Sequence, residues 1–184
     1  MAAPHRRWAA ELLHLWFHEL DARDWFVANP RIDALLRWRF ARELRSLRRR
    51  RAQEFLTDPP SSLAAVLLFD QLPRNLHRGT PQAFATDPLA RAIARGALAR
   101  GWDRQLAPQQ RQFLAMPLMH SERIADQRLS LATYAPLGAR YGWPFAVSHS
   151  RVIARFGRFP HRNAALGRRS SPAEIAAIEA GNHW

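Results

Sequence analysis

Cysteine does not occur in the 184 residues, which excludes a disulfide framework and thiolate chemistry and leaves only His and carboxylate side chains to hold any metal. The same absence agrees with a reducing, cytoplasmic setting. Lysine is missing too: all 28 basic residues are Arg, against 15 acidic ones, for a formal charge of +13. An Arg-for-Lys bias of the kind a GC-rich genome produces accounts for the missing Lys but not for the net excess. A basic surface releases counterions from phosphate. However, the densest run, Arg45 to Arg51, lies at the end of an expected helix, where cations also suit the helix dipole. Nucleic acid is therefore the weaker expectation and a solvated basic face the stronger.

No apolar run approaches the length of a membrane span. Residues 8–20 are mixed, because Glu11, His14 and His18 interrupt what would have to be a signal-peptide core. The sequence thus reads as a cytoplasmic chain without a membrane partner. Alternating strand patterns are absent, as are a nucleophile elbow, a glycine-rich phosphate loop and a His-Glu-x-x-His pair. At this length the chain supports one core, so residues 1–184 are expected to form a single all-α domain.

What is present is helical periodicity almost throughout. Ile32, Leu35, Leu36, Phe40, Leu44 and Leu47 repeat at three and four residues, the signature of one buried helix face. Leu12, Leu13, Leu15, Trp16 and Phe17 form an earlier helix that is apolar on more than one side. The run from Leu63 to Phe69 favours a buried helix over a strand, since Ala and Leu outnumber the β-branched Val66. Asp87-Pro88 has the form of an N-cap followed by Pro in the first turn, and Gly101 of a helix stop. Pro108 opens another helix that Pro117 is expected to interrupt. The next is expected to run from Ser121 to near Tyr134, with Ser121 as a cap. A face of His149, Val152, Ile153 and Phe156 ends at Gly157, and Ser171 and Glu174 have capping-box spacing. About eight short helices, stacked as antiparallel pairs, are expected.

Two segments echo each other: Asp70-Gln-Leu-Pro-Arg-Asn-Leu-His-Arg-Gly79 and Phe156-Gly-Arg-Phe-Pro-His-Arg-Asn163. Each packs Pro, Arg, Asn and His into a loop that ends a helix. Pro fixes its own φ and Asn can bond the turn backbone, so the Arg and Asn donors beside them are pre-organised. Two such loops can build one site.

These residues also carry a resemblance. The stretches Leu68 to Asp87, Phe113 to Glu122 and Phe156 to Arg168, with Trp16-Phe17 and Arg39-Phe40, resemble the uncharacterised bacterial family known as domain of unknown function 924. The resemblance implies an all-α fold similar to tetratricopeptide-like helical proteins, with no established activity to carry over. Asp70, Arg74, Asn75, His120, Glu122, Asp126, His149, Arg158, His161, Arg162 and Asn163 stand where the family pattern has them. Departures fall at His14 and Arg123, where the family tends to be acidic, and at Ala115, where it tends to be aromatic.

The polar set supports several chemistries. Arg74, Arg158 and Arg162, with Asn75, Asn163 and His149, are candidate ligand-binding residues, because a guanidinium grips carboxylate or phosphate through two parallel hydrogen bonds. His120 and His161 are candidate acid/base groups, with Glu122 and Asp126 as orienting carboxylates. A metal on Glu122, Asp126 and His149 is a further reading, since the carboxylates four residues apart share a helix face, but no established ligand motif supports it. Cofactor and metal identity therefore stay open, as does enzymatic activity. The leading expectation is a pocket for a small anionic ligand. The alternative is a tetratricopeptide-like protein- or peptide-binding module in which aromatic residues line a groove and the polar cluster pairs internally.

Overall fold

A computed structural model describes residues 7–180, and among these every regular element is helical. Ten α-helices follow in order: α1 (Arg7–His14), α2 (Ala22–Phe26), α3 (Pro30–Leu47), α4 (Pro59–Val66), α5 (Leu72–Leu76), α6 (Asp87–Ala99), α7 (Pro108–Met119), α8 (Ile124–Tyr134), α9 (Trp143–Phe156) and α10 (Pro172–Glu179). Trp184 lies outside the described residues.

The centre of the fold is α4. From Ser62 to Pro73 every residue is buried, as expected of a segment rich in Leu and Ala that exposes no face to water. It packs against α1, α6 and α7. Leu12, Leu15 and Trp16 from the first helical stretch, and Leu36, Phe40 and Leu44 from α3, join the same core, and α3 itself packs against α1, α5 and the turn at Leu67–Gln71. Burying each such Leu or Phe side chain contributes about 1.5–3 kcal/mol.

A wide π-type turn at Leu67–Gln71 joins α4 to α5 without a break in the chain's helical course. Its cause is local. Pro73 has no N–H to offer the carbonyl four residues back, that of Phe69. The hydroxyl of Thr86 donates to that carbonyl instead, at 2.6 Å. The turn therefore fastens the start of α6 to the helix that carries Asp70 and Arg74.

Three expected boundaries are corrected. Pro117 does not interrupt its helix; α7 runs through it to Met119, with all of residues 113–119 buried and held by packing. Ser121 does not cap α8. The helix begins at Ile124, and the Ser121 hydroxyl donates to Asp126 at 2.7 Å. Asp87 is the first residue of α6 rather than its cap, because its carboxylate is held by Arg74. Elsewhere the expected stops and caps are present: Gly101 and Gly157 are left-handed, with φ 68° and 70°, and Ser171 and Glu174 form a capping box.

Candidate functional site

The echoing segments converge. A pocket of about 380 Å³ is lined by Arg74 from α5, Arg78, Gly79, Ala83 and Phe84 from the loop that follows, His120 at the end of α7, His149 from α9, and His161 and Arg162 from the loop after α9. Among the described residues, no carboxylate lines its wall. A second pocket of about 340 Å³ adjoins it and shares Phe84, His120 and Arg162.

Beneath this wall lies Asp70, which is fully buried. Its carboxylate accepts from Nδ1 of His120 at 3.0 and 3.1 Å and from the side-chain amide of Gln71, and Arg74 approaches to 3.2 Å. Burial alone would raise its pKa, but Arg74 and His120 outweigh burial and hold it well below the usual carboxylate range. An ionised carboxylate only accepts, so Nδ1 of His120 carries the proton and Nε2 is left with the lone pair. Burial keeps His120 itself below its ordinary pKa, against the pull of Asp70, so the ring is neutral at pH 7.

His149 follows the same logic. Its Nδ1 donates to the Phe145 carbonyl at 2.8 Å, and burial, followed by the neighbouring His120, lowers its pKa to about 3. Its ring lies 6.2 Å from that of His120, centroid to centroid. His161 sits on the exposed rim, with its pKa also pushed down, to about 4, by partial desolvation and by Arg162.

The cations differ in how fully they are held. Arg74 donates to both oxygens of Asp87 at 2.9 and 3.0 Å and to the Asp70 carbonyl at 2.6 Å. Arg162 is 6% exposed and lies between the rings of Phe84 and Phe159, 4.9 and 4.4 Å from their centroids. Its nearest carboxylate oxygen, on Asp87, is 3.7 Å away, and its Nε meets no hydrogen-bond acceptor among the described residues. Burial first, and Arg74 second, depress its pKa to about 10.

The other residues singled out from the sequence lie elsewhere. Glu122 borders the adjoining pocket but is tied to Arg168 at 2.8 and 2.9 Å and to the Phe159 backbone N–H at 2.8 Å, so it braces the loop that carries Arg162. Asp126 is buried between Arg95 at 2.6 Å and Arg91 at 3.4 Å. Arg158 joins Glu174 at 2.6 and 2.9 Å, which docks α10. Asn75 donates to Asp33, and Asn163 to Ser170. Glu122, Asp126 and His149 do not come together as ligands, and no metal-holding group of three His, Asp or Glu occurs among the described residues. Sequence reasoning missed Asp87 as the anchor of Arg74, and Phe84 as the ring under Arg162. A cap-like Asp before Pro gave no sign of the first.

The family match covers residues 12–182, the bacterial proteins of unknown function DUF924. The chain belongs to DUF924. One solved structure, a protein of unknown function from Agrobacterium tumefaciens, is similar to this DUF924 chain at 38% identity, with a TM-score of 0.88, over 94% of this chain and 97% of that one. No curated protein matches it. No helix of the described residues in this DUF924 chain is long and apolar enough to cross a membrane.

Proposed function

We propose that the pocket binds a small anion of phosphate or carboxylate chemistry and that His120 exchanges a proton with the bound molecule. The observation that carries this reading is Arg162. A guanidinium so deeply buried is ordinarily held by a carboxylate in full contact. Here the nearest carboxylate stands at 3.7 Å and already accepts two bonds from Arg74. The depressed pKa expresses the same deficit of negative charge. An entering anion supplies it, with charge-assisted bonds to the guanidinium.

His120 adds a second requirement. A neutral imidazole whose Nδ1 is fixed by a buried carboxylate presents Nε2 as an acceptor, the arrangement that orients a general base. The ligand that suits both groups is therefore an anion that also carries an O–H, as hydrogen phosphate or a hydroxy acid does. Peptide recognition has less support. The large exposed apolar side chains Phe26, Val27, Trp38, Ile124, Phe145 and Ile175 line neither this pocket nor its neighbour.

The test is a thermal-shift series with phosphate, hydroxy acids and chloride at matched ionic strength. Selective binding at a hundred times Kd stabilises by about 2.7 kcal/mol. Phosphate or a hydroxy acid should raise the Tm of the wild type but not that of a folded Arg162→Gln variant. Equal shifts in both proteins, or none in the wild type, overturn the reading.

A further inference from the structure

A different part of the surface carries its own signal. Helix α3 buries Leu36, Phe40 and Leu44, and its opposite side presents Arg31, Trp38, Arg42 and Arg45. Steps of seven, four and three residues keep these four on one face. All four are exposed, Trp38 at 83%. At 1.5 Å per residue they span about 21 Å. Among the described residues, Arg31, Arg42 and Arg45 make no ion pair. The acidic residues of the helix turn elsewhere: Asp33 accepts from Arg78 and Asn75, and one Glu43 oxygen is buried. Exposed Arg48 and Arg49 extend the field beyond the helix end, and Arg37 and Arg48 bear on His77.

We propose that this face binds single-stranded nucleic acid, with Trp38 stacking on a base and Arg31, Arg42 and Arg45 contacting phosphates. Unpaired guanidiniums in a row match a polyanion, and an indole left almost wholly in water among them matches something with a flat π-face. A duplex offers the phosphates but keeps its bases stacked away from Trp38. An anionic membrane offers the charge, but surface helices that bind membranes insert an apolar face, and the apolar face of α3 is already buried in the core. The pocket plays no part, because none of these residues lines it.

The experiment is fluorescence anisotropy of the full chain with a labelled single-stranded oligothymidylate over a salt series. The same run includes a duplex of equal length and vesicles containing phosphatidylserine. The exposed positions allow Trp38→Ala and the Arg42→Gln/Arg45→Gln pair to fold, which circular dichroism verifies. Trp38→Ala should weaken single-strand binding about tenfold. The double Arg variant should flatten the slope of log K against log salt by about 1.4, the loss of two phosphate contacts. Absence of binding by the wild type overturns the proposal. So do indifference to Trp38→Ala, an unchanged salt slope in the double variant, and duplex or vesicles bound as tightly as the single strand.

Discussion

Asp70 and His120 are fifty positions apart in the chain, yet both oxygens of the buried carboxylate accept from Nδ1 of the imidazole, at 3.0 and 3.1 Å. This contact joins the π-type turn after α4 to the end of α7 and fixes which His120 nitrogen holds the proton.

Replacing Asp70 by Asn removes the charge that raises the pKa of His120 and sets an amide donor beside the one acceptor oxygen that is left, so the contact no longer dictates the tautomer. In Asp70→Asn the titration of His120, followed by NMR, should move further below its ordinary value, since burial and Arg74 then act unopposed. Removing one member of a buried pair is also destabilising by about 3 kcal/mol, which urea unfolding would register.

Acid should loosen the fold through His149. Its pKa falls from 6.5 to about 3 on folding, because burial and His120 disfavour its charged form. The unfolded chain therefore binds more protons between these values, and stability falls as pH drops from 6.5 towards 3. The slope from this residue is about 1.4 kcal/mol per pH unit inside that window and flat above it. Urea unfolding of wild type and His149→Phe across this range checks it, the variant losing part of the slope.

Thr86 is expected to matter beyond its size. Thr86→Val keeps the shape but leaves the Phe69 carbonyl without the hydroxyl that replaces the N–H missing from Pro73. An unsatisfied buried acceptor costs about 1–3 kcal/mol. Chemical unfolding should show a loss of that size.

Arg158 and Arg162 are four residues apart, and their variants should behave differently. Arg158 docks α10 through Glu174, so Arg158→Ala should lower the Tm while retaining the shift caused by phosphate. Thermal melts with and without phosphate make the comparison. Glu174, held well below the usual carboxylate range by Arg158 and Ser171, marks the same contact from the other side.

The spacing of apolar residues made α3 and the buried run of α4 legible, and local chemistry made Gly157 and the Ser171 to Glu174 box legible. These features depend on residues within a few positions of one another. Pairings do not. With Arg at 28 positions, nothing in the spacing says that Glu122 meets Arg168, that Asp126 meets Arg91 and Arg95, or that Asp87 serves Arg74 rather than capping α6. The passage of α7 through Pro117 was hidden for a related reason, since local propensity marks a break there and burial overrides it. Arg74, His120, His149, His161 and Arg162 could be picked out as residue types, but only the fold brings them around one pocket.

The most direct measurement is a titration of the chain with inorganic phosphate, followed through the ring nitrogens of its histidines by NMR. If the pocket binds phosphate, saturable shifts appear at His120 and His149, with Nε2 of His120 moving most, while His14 and His18, which do not line the pocket, stay still. Shifts spread evenly over all the histidines, or none at His120 up to the concentrations at which phosphate acts only as salt, would contradict that binding.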